Sequence, residues 1–201
     1  GLADLAQGKV SVSELKEVDI SDLLGRFEVE ANQELINRNI ANKVVLITGA
    51  GGSIGSEISR QVARNKASKV ILLDTNEYAL YSIKKEIEVT LPQVELFAIL
   101  ASVNNKKRIT EVCKAFGVNT IYHTAAYKDV PLVEENPFEA VFNNIIGTQT
   151  CAQAAIESEV ETLVLISTDK AVRPTNIMGA TKRYSELMLQ YIDGEANNTT
   201  R

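Results

Sequence analysis

The chain of 201 residues is long enough for one domain with a hydrophobic core, and its 45% hydrophobic and 23% charged residues are ordinary for a soluble globular protein. Its net charge of −5 provides no overall basic field, so we do not expect nucleic acid as a partner. No apolar run approaches the roughly 20 residues that a membrane-spanning helix needs, and no signal peptide is visible.

The first 40 residues differ in character from the rest of the chain. They are polar, acidic and weakly helical, and we interpret residues 1–40 as an N-terminal arm or linker with one or two short helices. A solvated linker and an arm that packs or supports an oligomer both fit this composition. Because the chain begins with Gly1 rather than Met, we expect it to be a piece of a longer protein.

From Lys43 onward, apolar runs alternate with helical patterns. The runs are typical of strands buried on both faces, and they read KVVLITG, SKVILLD, QVELFAIL, VNTIYHT and ETLVLIST. This alternation with short connections predicts an α/β fold over residues 41–201, a Rossmann-like doubly wound parallel sheet with helices on both faces. The chain stops where another strand would be expected, so we expect this domain to be incomplete and its substrate lobe to be truncated.

The helical patterns carry their own boundary signals. Pro92 stops the second helix, an Asn caps the third, and Gly117 follows the end of the third. Pro137 stands in the first turn of a long fourth helix, where proline is favoured.

A glycine-rich segment joins the first strand to the first helix. The segment TGAGGSIGSE contains Gly49, Gly51, Gly52, Ser53, Ile54 and Gly55. Gly49 permits a tight turn, and Gly55 lets the helix pack close to the sheet. Gly51 and Gly52 let backbone N–H groups approach a pyrophosphate, to which the helix N-terminus adds partial positive charge. This context predicts a dinucleotide site.

The residues that end the second and third strands bear on the choice of dinucleotide. Asp74 follows Gly55 at about the 20-residue distance expected of a ribose-binding acid, and a carboxylate there repels a 2′-phosphate. Since Thr75 and Asn76 follow, with no basic residue, we expect NAD rather than NADP. A helix cap is the alternative role for Asp74. In such folds adenine often meets an acid after the third strand, whereas Ser102 stands there, so backbone and apolar contacts are expected to bind adenine.

The fourth and fifth strands end in segments that face the same crevice as the glycine loop, because ligands lie beyond the carboxyl ends of parallel strands. Small Ala125 and Ala126 let the backbone pass close to the cofactor. Lys182 lies on a helix after STDK, where it can reach the nicotinamide ribose and lend positive charge. Many nicotinamide-dependent sugar-nucleotide enzymes have a Tyr base four residues before this Lys, but here Met178 occupies that position.

Other reactive side chains are few. His123 is the single histidine, and Cys113 and Cys151 lack metal-ligand spacing, so we expect no metal site. Unpaired cysteines suit a reducing compartment and a cytoplasmic location, and we interpret both as small buried hydrophobic residues. An anionic substrate requires a local basic patch, for which the candidates are Lys128, Lys170, Arg173, Lys182 and Arg183.

Over about residues 20–201 the sequence resembles a known family, through the segments DLLGR, TGAGGSIGSE, AAYKDVPLVE, NNIIGT and STDKAVRPTNIMGATKR. These are similar to the sugar-nucleotide 4,6-dehydratases of bacterial polysaccharide and glycoprotein synthesis, within the extended short-chain dehydrogenase/reductase superfamily. The MGATK segment resembles the membrane-tethered branch of UDP-N-acetylglucosamine 4,6-dehydratases, in which Met replaces Tyr. In that branch the catalytic domain follows transmembrane helices, which this chain lacks.

The resemblance implies a UDP-sugar substrate, usually UDP-N-acetylglucosamine, and a 4-keto-6-deoxy product. It also implies NAD that is restored in each cycle, a homo-oligomer, and membrane association only through a region absent from this chain, at the cytoplasmic face of the inner membrane. The reaction oxidises carbon 4, removes the carbon-5 proton, expels the carbon-6 hydroxyl as water and returns the hydride to carbon 6.

The resemblance also implies residue roles. Asp169 suits the general acid, so we expect burial to raise its pKa from about 3.9. Lys170 suits the carbon-5 base, so we expect desolvation and the positive charges of Lys182 and the nicotinamide to lower its pKa from about 10.4. Thr168 is expected to replace the missing tyrosine near carbon 4, as a hydrogen-bond relay that shares its proton with Asp169. Tyr127 is a possible substitute base, whereas Tyr184 is expected to point away.

Further positions are assigned by the resemblance with alternatives left open. Asn144 makes either a structural or a cofactor-side hydrogen bond, and Lys128 contacts the nicotinamide ribose or substrate phosphates. Asp129 departs from the family, which commonly has His there, and an inward-facing acid would weaken the binding of an anion. The alternative functions are a sugar-nucleotide epimerase, which needs no elimination pair, and a non-catalytic NAD-binding relative.

Overall fold

Five parallel strands form one sheet with the order β3-β2-β1-β4-β5. The computed structural model describes residues 32–194, 200 and 201, so most of the predicted N-terminal arm lies outside the described residues. The strands are β1 (Val44–Thr48), β2 (Lys69–Asp74), β3 (Leu96–Leu100), β4 (Thr120–His123) and β5 (Thr162–Leu165). The predicted doubly wound parallel sheet is confirmed.

Helices precede β1, connect the consecutive strands and follow β5. They are α1 (Gln33–Asn39), α2 (Ser53–Arg64), α3 (Glu77–Thr90), α4 (Lys106–Phe116), α5 (Val130–Glu135), α6 (Pro137–Ala140), α7 (Gly147–Glu157) and α8 (Ile177–Asp193). A π-helical turn, Val141–Ile146, joins α6 to α7, so residues 137–157 form the one long helix that was predicted. The cap of α4 is Asn105, and Gly117 follows with a φ of 64°.

The apolar runs bury both faces of the sheet. On one face Val45 and Ile47 of β1 pack with Ile83 and Ile87 of α3. On the other face Leu46 packs with residues of α4 and α7. Because side chains alternate along a strand, a continuous apolar run supplies a core on each side, which is why the pattern predicts helices on both faces.

The start of the compact unit differs from the predicted boundary at residue 41. The described chain from Gln33 onward belongs to one compact unit. Ile40 is buried in the core with Ile36 packed against it, and the hydroxyl of Thr120 donates to the carbonyl of Asn39 at 2.8 Å. The end of the predicted arm is therefore part of the domain, because its apolar residues cover the edge of that core.

Two short elements near the crevice were not predicted. The helix α5 begins after Asp129, whose side chain accepts from the backbone N–H of Leu132 at 3.0 Å. A 3-10 turn, Asp169–Ala171, follows β5. Both are too short to produce a helical period in the sequence.

The outer edge of β5 carries an additional backbone pairing. The backbone N–H of Arg201 donates to the carbonyl of Glu161 at 3.0 Å, and the N–H of Leu163 donates to the carbonyl of Arg201 at 2.7 Å. This is the pattern of parallel strands. Arg201 thus lies where the sequence predicts a further strand.

Two other features concern the cysteines and the membrane. Cys113 and Cys151 are free and buried, and burial raises the pKa of the Cys113 thiol to about 12, as expected of small core residues. Within residues 32–194, 200 and 201, no helix combines the length and apolar character that crossing a bilayer requires.

Candidate active site

Two adjoining cavities open along the carboxyl ends of the strands. The lysine cavity, about 230 Å³, lies between the glycine loop and the turn after β5 and contains Lys182 in its wall. The aspartate cavity, about 460 Å³, extends past Asp74 toward the end of β3. They share four lining residues, which are Gly49, Gly52, Thr124 and Ala126. The crevice is therefore continuous from Asp74 to Lys182. A dinucleotide, which consists of two nucleotides joined by a pyrophosphate, requires a crevice of this kind.

The glycines of the loop have distinct structural reasons. Gly49 has a φ of +69°, and a Cβ there would lie 2.7 Å from the Cα of Ala125. A Cβ on Gly55 would lie 2.0 Å from the carbonyl oxygen of Gly49, so the helix begins directly against the loop. The expected roles of Gly49 in the turn and of Gly55 in close packing agree with this geometry.

Gly51 and Gly52 were both expected to make room for a pyrophosphate, but the structure gives them different surroundings. A Cβ on Gly51 would lie 2.6 Å from the Cβ of Ala79, so Gly51 is needed for packing against α3. A Cβ on Gly52 would meet only the carbonyl oxygen of Gly49, at 3.3 Å. Gly52, with Ser53 and Ile54 after it, lines the lysine cavity. Among these glycines, Gly52 has the most open surroundings for a phosphate.

Asp74 holds the loop and faces the crevice. One carboxylate oxygen accepts from the N–H of Gly51 and the other from the N–H of Asn76, both at 2.8 Å. The cap of α3 is Asn76, which accepts from the N–H of Ala79 at 3.0 Å, so Asp74 is not the helix cap. Each carboxylate oxygen has a further lone pair, and Asp74 can accept a ligand hydroxyl while it anchors the loop.

Lys182 is the buried cation of the crevice. Its ammonium group donates to the carbonyl of Ile166 at 2.6 Å, and the residue is 6% exposed. Burial lowers the pKa of Lys182 to about 8, while Glu186 acts in the opposite direction. The α8 helix thus presents a cation to the cavity from directly behind the turn after β5.

The turn after β5 brings three of the predicted catalytic residues together. The Thr168 hydroxyl donates to Oδ1 of Asp169 at 3.0 Å, and Nζ of Lys170 lies 3.7 Å from the same oxygen. Thr168 and Lys170 line the lysine cavity. The proximity that a proton relay requires is therefore present.

The expected burial of the Asp169–Lys170 pair is wrong for this structure. The side chain of Asp169 is 84% exposed and that of Lys170 is 51% exposed. The 3-10 turn places both at the open rim of the crevice, and no described segment covers them. The desolvation on which the expected acid and base depended is not present here.

Met178 occupies the expected tyrosine position as an apolar wall. It is buried with Val133 and Ala140 and also lines the lysine cavity. A thioether is only a weak hydrogen-bond acceptor, so it does not supply the missing base. Neither tyrosine lines the lysine cavity. Tyr127 lines the aspartate cavity and not the lysine cavity, and Tyr184 is 57% exposed on the helix surface.

Asn144 lies behind the crevice rather than in it. Its side chain accepts from the N–H of Tyr127 at 2.8 Å and donates to the carbonyl of Tyr127 at 3.0 Å. It also donates to the hydroxyl of Thr181 at 3.0 Å. Asn144 lines neither cavity. Of the two roles expected for Asn144, the structure therefore shows the structural hydrogen bond. The residue links the segment after β4 to α8.

A buried histidine that the sequence did not identify as functional extends this network. The hydroxyl of Thr48 lies 2.7 Å from Nδ1 of His123, and Nε2 lies 3.0 Å from the hydroxyl of Thr148. Because Thr148 donates to the carbonyl of Asn144 at 2.6 Å, it accepts from Nε2–H. Burial, with the charge of Lys182 as a smaller cause, lowers the pKa of His123 to about 3.

The remaining predicted positions are at the crevice wall. Lys128 reaches across it, with Nζ 3.4 Å from the hydroxyl of Ser53. Ala125 and Ala126 line the aspartate cavity. The carboxylate of Asp129 caps α5, so the expected conflict between this acid and an anionic ligand is reduced by its hydrogen bond.

Known proteins similar to this chain include several that act on sugar nucleotides. It is 48% identical over 200 residues to the capsular polysaccharide biosynthesis protein CapD of Staphylococcus aureus, covering 99% of this chain and 33% of that protein. It is 34% identical over 149 residues to a UDP-glucose 4-epimerase of Rickettsia rickettsii, covering 72% and 42%. It is 32% identical over 157 residues to a UDP-N-acetylglucosamine 4,6-dehydratase (inverting) of Campylobacter jejuni, covering 78% and 45%.

These matches span a third to less than half of the relatives' own lengths. The crystal structure of DesIV, a dTDP-glucose 4,6-dehydratase from Streptomyces venezuelae with NAD and TYD bound, has a TM-score of 0.71 and 24% identity, covering 79% of this chain and 54% of that chain. That likeness shows a shared fold. Residues 45–201 match the family described as polysaccharide biosynthesis protein, and the chain therefore belongs to this family.

Proposed function

We propose that this chain is the cofactor-binding and catalytic part of a sugar-nucleotide 4,6-dehydratase, and that its crevice binds NAD. The cofactor fits the residues present. Gly52 leaves space beside the N-terminus of α2 for a pyrophosphate. Asp74 has lone pairs for a ribose and no basic neighbour to hold a 2′-phosphate. The related fold of DesIV, whose structure contains NAD, supports the same assignment.

The substrate we propose is a UDP-amino sugar, UDP-N-acetylglucosamine, converted to its 4-keto-6-deoxy derivative in surface polysaccharide or glycan biosynthesis. The observation that carries this proposal is the single turn on which Thr168, Asp169 and Lys170 line or border the lysine cavity opposite the glycine loop. An elimination needs an acid for the leaving hydroxyl and a base for the carbon-5 proton, and a turn of adjacent residues offers both groups. The Campylobacter relative, a UDP-N-acetylglucosamine 4,6-dehydratase, supports this choice of substrate.

NAD bound in the crevice supplies the hydride acceptor for carbon 4 and later the hydride donor for carbon 6. Lys182 holds positive charge beside it and binds the ribose hydroxyls. Thr168 accepts the proton of the carbon-4 hydroxyl and passes its own proton along the 3.0 Å hydrogen bond to Asp169. Asp169 is then the acid that protonates the carbon-6 hydroxyl, which leaves as water.

Lys170 removes the proton from carbon 5 and returns it after the hydride has reached carbon 6. The proton from the carbon-4 hydroxyl therefore leaves in the water, and the hydrogen returned to carbon 5 comes from the amine of Lys170, whose hydrogens exchange with solvent. In this scheme Asp169 becomes protonated by relay from the substrate, so its exposure in the free chain does not exclude the role. A sugar lying across the rim would exclude water from both side chains.

A second candidate function is a sugar-nucleotide 4-epimerase. The Rickettsia relative of that name favours it, and an epimerase needs oxidation at carbon 4 without the Asp169–Lys170 pair. A third is a non-catalytic NAD-binding relative, which Met178 and the exposure of Asp169 and Lys170 motivate. The homo-oligomer and the cytoplasmic location stay predictions in each case.

The test uses the full-length protein with NAD and UDP-N-acetylglucosamine in D₂O. We expect a 4-keto-6-deoxy sugar without net NADH, with deuterium at carbon 5. Lys170→Ala should lower turnover by at least about a hundredfold while NAD affinity stays within about threefold, as loss of a general base implies. Lys107→Ala, on the exposed surface of α4, is the matched control. A product with inverted carbon 4 and an intact carbon-6 hydroxyl would instead identify an epimerase. NAD binding without any product would favour the non-catalytic relative.

A further inference from the structure

The segment after β3 lies where the base of a bound dinucleotide would be. Asp74 is the register partner of Leu100, and the N–H of Ala101 donates to the carbonyl of Asp74 at 3.0 Å. Residues 102–104 therefore continue beside Asp74, on the side away from the glycine loop. Ser102 and Asn104 line the aspartate cavity. A ribose held at Asp74, with its phosphate directed toward Gly52, directs its base toward these two residues.

The hydroxyl of Ser102 supports the turn from within. It accepts from the backbone N–H of Asn104 at 3.2 Å. Ser102 is not a carboxylate, so the position lacks the strong acceptor that an acid would offer to an amino group of a base. The serine instead holds the backbone from which the Asn104 side chain projects.

Among the described residues, the side-chain oxygen of Asn104 lacks the hydrogen-bond donor that a buried acceptor normally has. It is buried and, within the described part of the chain, accepts no hydrogen bond. Burying an acceptor without a partner is unfavourable, because the water that would bond to it has been removed. The helix α7 packs tightly behind it, since a Cβ on Gly147 would lie 3.3 Å from this oxygen. No hydrogen bond holds the oxygen against the helix, so rotation of the amide about its broad terminal torsion is inexpensive.

A carboxamide matches one edge of adenine. Its oxygen accepts from the 6-amino group while its nitrogen donates to N7, the bidentate pairing by which asparagine reads adenine in DNA. We propose that the Asn104 carboxamide turns toward the aspartate cavity and recognises the adenine of the bound dinucleotide, replacing an acid at the end of β3. This inference rests on the proposed NAD site and assigns the group that selects its base.

Binding of NAD and of nicotinamide hypoxanthine dinucleotide, in which a carbonyl replaces the 6-amino group, tests this assignment by calorimetry on the full-length protein. A bidentate pair contributes about 1–3 kcal/mol, so we expect the wild type to prefer NAD by about 5- to 150-fold. Asn104→Ala should reduce that preference to below about threefold. Asn104→Asp keeps an acceptor and should retain the preference while it binds both dinucleotides more weakly, which also controls for a folding defect in the alanine variant.

Two other residues of the cavity serve as comparisons. Asn143 donates its amide to Asn144 at 3.2 Å, and Asn143→Ala should keep the preference. Glu139→Gln removes the other acid that lines the cavity and should keep it too. The inference is overturned if Asn104→Ala retains the preference, if Glu139→Gln abolishes it, or if the wild type binds both dinucleotides equally. Failure of the wild type to bind NAD at all would overturn the proposed cofactor as well.

Discussion

A Cβ on Gly179 would lie 2.3 Å from the carbonyl oxygen of Lys170. The glycine is the third residue of α8, and the side chain of Asn176 accepts from its N–H at 2.7 Å. The helix that carries Lys182 therefore packs directly against the backbone of the turn that carries the proposed acid and base. Since neither backbone can yield without moving the other, Gly179 is a positioning residue for the site.

We expect Gly179→Ala to displace the turn from α8. Overpacking of this kind costs about 1–3 kcal/mol of unfolding free energy, and we expect kcat to fall at least about tenfold with KM changed less. Urea unfolding and steady-state kinetics measure the two effects. Gly194→Ala is the matched control, because the nearest atom to a Cβ there is 3.5 Å away. Equal kcat in Gly179→Ala and the wild type would contradict the positioning role.

Burial of Lys182 should appear in the pH dependence of stability. Its pKa falls from 10.5 to about 8, so the unfolded chain binds more protons between these pH values and stability rises with pH across that window. The shift corresponds to a penalty of about 3 kcal/mol below pH 8. We expect Lys182→Met to be inactive and its stability advantage to shrink as pH rises from 8 toward 10.5. A difference in unfolding free energy that does not change with pH would exclude this cause.

His123 should stay neutral through the physiological range. Burial lowers its pKa from 6.5 to about 3, and its hydrogen bonds require the Nε2–H tautomer. Because it is the single histidine in the sequence, its ring resonances in an NMR pH titration are unambiguous. We expect no titration between pH 5 and 8, and a stability contribution that is lost as pH falls from 6.5 toward 3. A midpoint near 6.5 would show that the ring is exposed to water.

Asp74 should control both loop geometry and cofactor choice. Asp74→Ala leaves the N–H of Gly51 without its partner and removes the ribose acceptor. Hydrogen bonds to charged groups contribute about 1.5–3 kcal/mol, so we expect NAD affinity to fall at least about tenfold. Affinity for NADP should fall less, because the repulsion of its 2′-phosphate is also removed. Titration of each dinucleotide measures this, with Asp193→Ala at the far end of α8 as the control.

The fold class and the glycine loop could be predicted from the sequence alone. The continuous apolar runs alternate with helical patterns, and each run has two apolar faces to bury. A parallel sheet with helices on both faces buries them. The roles of Gly49 and Gly55 could also be predicted locally, because a tight turn and a helix that begins close to the sheet both require glycine. Asp74 was identified by its distance along the chain.

The packing of the whole domain was needed to show which of the candidate side chains share a cavity and how exposed they are. Asp169 and Lys170 are adjacent in sequence, but their exposure depends on segments that pack over the turn, which spacing does not encode. Asn144 lies behind the crevice because the π-helical turn directs its amide to Tyr127. His123 of β4 is joined to β1 through Thr48 and to α7 through Thr148, both far from it in the chain. The burial of a side chain and its hydrogen-bond partners depend on tertiary packing, which brings together residues that no local sequence pattern connects.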